Sequence, residues 1–382
     1  MNSPVQMPSK INAYFVVFLS FFAYVFVPYN RKIPVTNNIV EWAFSVFENV
    51  YIRPPWKCPV ANTSTACEIK ALERLRFVFS VTKYIPTWGS TIRERTIFIN
   101  QDGTDSAVAT SLPVVLYDSK AYPESNVNSQ QPPSKRTLLL WFHYGGYVVG
   151  HAKDGLVYQL AKMLLAEDKN VLVASVEYRL SPEYSREASV RDCFYALKFF
   201  SSASVTKKYY LDEKRYIVGG ASAGGGLAAE IALKAAVESI ELKAHIAVVP
   251  MLTPYAAIKS WSYVENAQNF GLSTQAILWY WKTCTKEETN RPFVSLVDAV
   301  LGHKVSNEGT DFLHHVSDSL VITARSDVLN DEGIDYVQTL QKHAKNRHVH
   351  QHKLYRTTHL GSMIYPSHWE DIIAYVREKS RR

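Results

Sequence analysis

The chain has 382 residues, of which 47% are hydrophobic, 13% aromatic and 20% charged, a composition that excludes collagen-like, low-complexity and fully disordered chains. The length suits one large α/β domain with an appendage, or two ordinary domains. Basic residues exceed acidic ones by seven, but nine Lys/Arg against three Asp/Glu fall between Gln341 and Arg382, and no basic stripe interleaved with aromatics marks the rest, so nucleic acid is not an expected partner.

In chain order, the first feature is the uncharged run from Ile11 to Val27. As a helix its seventeen residues span roughly 26 Å, enough for a thin bilayer core of about 27 Å. Apolar residues surround the whole circumference, unlike a core helix, and Pro28-Tyr29-Asn30-Arg31-Lys32 offers no small-residue cleavage site. A retained signal-anchor is the expectation. Flanking charges (Lys10 on one side, Arg31 and Lys32 on the other) do not decide orientation. A luminal body is favoured by the glycosylation acceptor Asn62-Thr63-Ser64, which lies between Cys58 and Cys67, a pair able to close a small disulfide loop.

Val40, Ala43, Phe44, Phe47, Val50 and Tyr51 follow helical spacing, as do Ile69, Leu72, Leu75, Val78 and Phe79, with Pro54-Pro55 between the two groups. Strand patterns follow near Thr96 to Ile99, Leu112 to Tyr117, Thr137 to Phe142, Val171 to Val176, Tyr216 to Val218, His245 to Val249, Leu320 to Thr323 and Val349 to Tyr355. Helical stretches at Leu156 to Ala166, Ser189 to Phe200 and Gly225 to Val237 alternate with the later strands. Such alternation predicts an α/β fold with a mostly parallel sheet covered on both faces. Thr253 to Val305 interrupts the alternation with aromatic-rich sequence (Trp261, Tyr263, Leu278, Trp279, Tyr280, Trp281), an inserted lid. Cys193, in an apolar helical stretch, reads as a buried thiol, while Cys284 carries no assignment.

The chemistry concentrates in three places. Gly220-Ala221-Ser222-Ala223-Gly224 follows a strand and opens an Ala-rich helix, a context that holds a serine Oγ clear of the backbone on a sharp turn. Upstream, a buried strand ends in His143-Tyr144-Gly145-Gly146-Tyr147. Its paired glycines let backbone N–H groups converge on an oxyanion, with Ala223 N–H as the third donor. His143 fits an organiser of that loop better than a base. A serine is a poor nucleophile until an imidazole takes its proton, and the imidazole needs a carboxylate to fix its tautomer. Asp327, just past a strand, and His359, after the last strand, supply them in the order serine, acid, histidine. Asp331 is the rival acid, but it falls about one turn into a helix and reads as that helix's cap.

Other histidines have simpler readings. His348, His350 and His352 alternate on one strand face and could bind a metal, but with no carboxylate or cysteine near in sequence an exposed polar face is the better expectation. His314-His315 reads as loop surface. No metal and no organic cofactor is required by the serine chemistry.

Together, the His-x-Gly-Gly loop, Glu177-Tyr178-Arg179-Leu180-Ser181-Pro182-Glu183, the Gly-x-Ser-x-Gly turn and Asp-x-Leu-x-Asp-Glu resemble the hormone-sensitive-lipase-like α/β-hydrolases. With the N-terminal anchor added, the resemblance is to the branch of arylacetamide deacetylases and neutral cholesterol ester hydrolases. It covers roughly Pro86 to the C-terminus, with the anchor matching in position and length. It implies an α/β-hydrolase fold of eight strands with a helical cap, and hydrolysis of carboxylic esters, sometimes amides. It also implies single-pass anchoring in the endoplasmic reticulum membrane with the catalytic body luminal. Arg179 and Glu183 are implied to make scaffold ion pairs. The expected organisation is a signal-anchor over 1–30, cap helices and linker over 31–90, and a catalytic domain over 91–382 with a cap insertion at about 253–305. Three departures stand out: Tyr144 replaces the family's first loop glycine, Ala221 its common Asp, and Leu360 a glycine after the histidine. The leading expectation is a membrane-anchored serine hydrolase acting on apolar or lipid esters through an acyl-enzyme. A non-catalytic binding protein on this fold and an acyltransferase are the alternatives.

Overall fold

The computed structural model describes residues 64–81, 91–100, 111–122, 134–254, 260–269, 272–285, 295–302, 311–343, 348–364 and 366–381. All of them lie in the larger of the chain's two units, Phe47–Arg382. The expected anchor at Ile11 to Val27, the amphipathic segment at Val40 to Tyr51, Cys58 and Asn62 lie outside the described residues. Among the described residues no helix is long and apolar enough to cross a membrane. Cys67 is disulfide-bonded, and Cys193 and Cys284 are buried free thiols.

Eight strands form one sheet: β1 (Ile92–Asn100), β2 (Ser111–Ser119), β3 (Arg136–Phe142), β4 (Val171–Val176), β5 (Leu211–Ala221), β6 (Ala244–Val248), β7 (Asp318–Ser326) and β8 (His350–Thr358). Their spatial order is β1-β2-β4-β3-β5-β6-β7-β8. The first two pairings are antiparallel and the rest parallel. Every strand pattern expected from the sequence is a strand. The central ones read as unbroken apolar runs because both of their faces are covered; β3, β4 and β6 are buried throughout. The outer strand β1 shows mixed burial, with Phe98 65% exposed.

Helices cover the sheet: α1 (Ser64–Val81), α2 (Gly155–Glu167), α3 (Arg186–Ser201), α4 (Ala203–Tyr209) and α5 (Ala223–Val237) precede the insertion. Between β6 and β7 lie α6 (Ser262–Glu265), α7 (Thr274–Cys284), α8 (Leu296–Val300) and a 3-10 turn at Asp311–His315. The chain closes with α9 (Asn330–His343), α10 (His359–Ile364) and α11 (Pro366–Arg381). Helix α5 is buried almost from end to end, which its run of Ala and Gly permits because small side chains let it approach the sheet closely. Arg179 pairs with Asp192 at 2.8 Å and Glu183 with Arg76 at 2.6 Å, so both residues hold loops and helices together as expected.

The order β4-β3-β5 is where the topology reverses, since β3 is followed by its neighbour on one side and later by β5 on the other. Open α/β sheets leave a crevice at the carboxyl ends of strands at such a point. Phe142 of β3 lies opposite Gly220 of β5, which brings the His143 loop beside the Ser222 turn.

The alternating histidines of β8 differ from the sequence expectation. His350 is 7% exposed and meets Ser319 Oγ at 2.9 Å, and His352 meets Thr323 Oγ1 at 2.9 Å. His348 meets Asp318 at 3.3 Å, so a carboxylate does stand near it, but Lys379 claims the other oxygen at 2.7 Å. These side chains face β7 partners because β8 pairs with β7 along its length. Among the described residues no group of three or more metal-ligating side chains is assembled. His314 is half-buried and bonds the His343 carbonyl, while His315 is exposed.

Candidate active site

Ser222 sits between β5 and α5 with φ 55° and ψ −119°, a left-handed backbone unfavourable for a non-glycine residue. Such a conformation costs about 1–3 kcal/mol and persists where the surroundings enforce it. Here three hydrogen bonds do so. Ser222 N–H donates to the Val248 carbonyl at 2.8 Å, and the Ser222 carbonyl accepts from Gly226 N–H and Met251 N–H, both at 3.0 Å. The strain lifts Oγ off the sheet edge at the N-terminus of a buried helix.

Asp327 follows β7 and His359 follows β8, so both side chains reach the same rim as Ser222. His359 Nε2 lies 3.0 Å from Ser222 Oγ, and His359 Nδ1 lies 2.7 Å from Asp327 Oδ2. The three residues are 7%, 1% and 4% exposed in the order Ser222, Asp327, His359, so bulk water is largely kept from these bonds. Asp327 Oδ1 accepts from Leu329 N–H at 3.0 Å, which fixes the carboxylate plane. The geometry assigns the protons: Asp327 accepts from Nδ1–H, leaving Nε2 with a lone pair facing the hydroxyl. His359 opens helix α10 and is not in a loop, because Leu360 continues the helical backbone where a glycine would release it.

Across the rim, the loop after β3 carries Gly145 at φ 124° and Gly146 at φ 61°. A Cβ at Gly145 would collide with the Val149 carbonyl, and one at Gly146 with the Tyr280 ring. The glycines are therefore needed both for the backbone path and for close packing under α7. His143 Nδ1 meets the Tyr144 carbonyl at 2.8 Å, and its ring stacks on Tyr178 at 4.1 Å, with Tyr178 Oη donating to the His143 carbonyl. His143 is thus bonded and stacked within the loop. Ala223 is the first residue of α5, a position whose backbone N–H has no partner within the helix.

The insertion supplies the roof. Tyr280 lies against Gly146, and the Trp281 and Tyr147 rings stand 6.0 Å apart. Trp279, Tyr280 and Trp281 are all buried, whereas Trp261 and Leu278 of the same insertion are exposed.

Several supports were invisible in the sequence. Asn266 Nδ2 donates to the Asp327 carbonyl at 3.0 Å and the Arg325 carbonyl at 3.3 Å, tying the insertion to the acid's loop. Tyr147 Oη donates to the Met251 carbonyl at 3.0 Å, so the loop after β3 braces the residue that braces Ser222. Glu332 Oε2 accepts from Leu252 and Thr253 N–H at 3.3 and 3.0 Å, and burial raises its pKa well above the ordinary carboxylate value. Asp331 does cap a helix, but α6 and not its own: its Oδ2 accepts from Ser262 N–H at 2.8 Å and Ser260 Oγ at 2.9 Å.

Comparison with known proteins agrees with this architecture. Arylacetamide deacetylase of Oryctolagus cuniculus is 36% identical over 159 residues, covering 41% of this chain and 39% of that protein. The Rattus norvegicus arylacetamide deacetylase aligns over 85% of this chain and 89% of its own length, at 23% identity. A bacterial heroin esterase superposes with a TM-score of 0.65 at 22% identity, covering 82% of this chain and 92% of that one. The family model described as the alpha/beta hydrolase fold matches residues 139–360, more than half of the chain, and the chain belongs to that family.

Proposed function

We propose that the protein is a serine hydrolase cleaving carboxylic esters of apolar substrates through an acyl-enzyme. The observation that carries this reading is the continuous chain from Asp327 through His359 to Ser222 Oγ, with separations of 2.7 and 3.0 Å. Three side chains separated by up to 137 residues meet with each atom suited to its role.

In this reading His359 Nε2 takes the Ser222 proton as Oγ attacks the ester carbonyl. The N–H groups of Gly145, Gly146 and Ala223 receive the developing oxyanion, each donor contributing on the order of 2.7–4 kcal/mol. Asp327 stabilises the imidazolium, and His359 then returns its proton to the leaving alcohol or amine. A water deprotonated by the same nitrogen attacks the acyl-enzyme carbonyl and releases the acid. No metal or organic cofactor enters the sequence of steps. The aromatic roof on α7 supports an apolar acyl or alcohol group, because hydrophobic lining is what gives such sites their affinity.

Anchoring at Ile11 to Val27 in the endoplasmic reticulum membrane, with the body luminal and glycosylated at Asn62, belongs to the same proposal. Its support is the apolar run itself, the bonded Cys67 typical of an oxidising compartment, and an alignment with a named deacetylase over most of the chain. The functional test is a chain-length panel of p-nitrophenyl esters on wild type beside Ser222→Ala, with fluorophosphonate labelling of both. Hydrolysis and labelling are expected in wild type and lost in the variant; labelling that survives Ser222→Ala overturns the assignment. An endoglycosidase shift abolished in Asn62→Gln tests sidedness.

A further inference from the structure

Tyr144 immediately precedes the paired glycines of the loop after β3, and the structure shows where its side chain goes. It lines an apolar cavity with Trp141, Leu156, Ala221, Ser362 and Met363 among the walls. Three reacting segments converge there. Ala221 immediately precedes the nucleophile, Ser362 and Met363 belong to the helix that His359 opens, and Tyr144 immediately precedes Gly145.

The far end of the side chain is anchored. Tyr144 Oη donates to Asp154 Oδ2 at 3.0 Å, and the other oxygen of Asp154 accepts from Leu156 N–H at 2.8 Å as the N-cap of α2. Asp154 is 1% exposed, so the anchor point belongs to the rigid frame. Burial and the Asp154 carboxylate raise the Tyr144 phenol well above its usual pKa, which keeps it a donor. At the near end, the Tyr144 carbonyl meets His143 Nδ1 at 2.8 Å. The residue is thus held through main chain and side chain alike, directly before Gly145, whose carbonyl accepts from Val148 and Val149 N–H, both at 3.0 Å.

We propose that Tyr144 is a positioning residue: its phenol, tied to Asp154 beside the cavity that Tyr144 lines with Ala221, holds the Gly145 and Gly146 N–H groups where the oxyanion forms. This inference rests on the esterase reading. Donors displaced by a fraction of an ångström lose most of their effect on the transition state while leaving substrate binding nearly unchanged.

The test is Tyr144→Phe, which keeps the ring and removes the hydroxyl. For an apolar ester, kcat is expected to fall about tenfold with KM changed less than twofold, as for one lost hydrogen bond to a charged group. The affinity of a phenylboronic acid, whose tetrahedral serine adduct places an oxygen among the same donors, falls by a similar factor. Asp154→Asn, whose amide oxygen can keep the Leu156 cap while its NH2 donates to the phenol oxygen, keeps activity within about threefold of wild type, since the tie survives with its direction reversed. A Tyr144→Phe enzyme with unchanged kcat and boronate affinity, or one losing only thermal stability, overturns the inference and reduces Tyr144 to packing. Wild-type protein that neither hydrolyses esters nor labels with a fluorophosphonate overturns the esterase reading instead, and this inference falls with it.

Discussion

Strand β8 carries two buried histidines with opposite surroundings, His350 at its start and His359 just past its end. Their exposures are close, 7% and 4%. His359 lies between a carboxylate at 2.7 Å and a hydroxyl at 3.0 Å, so one nitrogen is fixed as donor and the other is free to accept a proton. His350 meets only the Ser319 hydroxyl at Nδ1, and its Nε2 has no hydrogen-bond partner among the described residues. One residue away in the sheet, His245 bonds Ser317 and Tyr336 Oη and likewise lacks a carboxylate partner. Burial pushes His245 down to about 3 and His350 down to about 4, each with a neighbouring histidine adding to the effect. The difference teaches that burial, with a histidine neighbour, silences His245 and His350, whereas the buried carboxylate beside His359 fixes which of its nitrogens faces the Ser222 hydroxyl.

The comparison breaks most sharply if the serine can be removed without effect. Ser222→Ala is expected to lower kcat by roughly a millionfold, to the level set by binding and the oxyanion donors; ester turnover at high enzyme concentration measures it. Next in size, Asp327→Asn leaves His359 buried but makes it resemble His350 in lacking an anionic partner. A fall of about ten-thousandfold in kcat at neutral pH is expected, because the wrong tautomer then faces the serine.

The silent histidines have a signature in stability. Each stays neutral in the fold down to about pH 3 or 4, whereas in the unfolded chain it takes a proton near pH 6.5. Between those values the unfolded state binds more protons, so stability is fully present above about pH 6.5 and declines as pH falls toward the folded pKa. Each group contributes a slope of up to about 1.4 kcal/mol per pH unit. His350→Gln should flatten the decline of denaturant midpoints between pH 6.5 and 4 by up to one proton's worth; an unchanged slope would place the proton uptake elsewhere. The smallest effect expected is that of Asn266→Ala, which releases the Asp327 carbonyl from the insertion. A kcat reduced about fivefold, with melting temperature lowered by a few degrees, follows from losing the hydrogen bonds of one buried amide.

Much of the scaffold was legible because its rules are local. Val171 to Val176 and Thr137 to Phe142 read as strands from unbroken apolar runs, and the glycines around Ser222 announced a sharp turn. Asp327 and His359 stood at strand ends in the expected order. The supports were not legible, because each bridges a long stretch of chain with residues common in any loop. Asn266 reaches Asp327 across 61 positions, Tyr147 reaches Met251 across 104, and Asp331 serves Ser262 from 69 positions away. Nothing near Asp331 in sequence distinguishes capping its own helix from capping another. The alternation of His348, His350 and His352 was visible, but its direction was not, since period two specifies a face without saying which neighbour covers it.

The sequence by itself determined which chemistry was available: a serine on a glycine-bounded turn, a glycine pair after a buried strand, and an acid and a histidine downstream in order. Those are properties of residue type and spacing, and they survive without knowledge of any contact. Only the tertiary structure decided which histidine has a carboxylate, which loop steadies the nucleophile, and where the Tyr144 side chain is tied. These depend on distances between atoms far apart in the chain, and in a close-packed interior a shift of one ångström separates a proton acceptor from an inert ring.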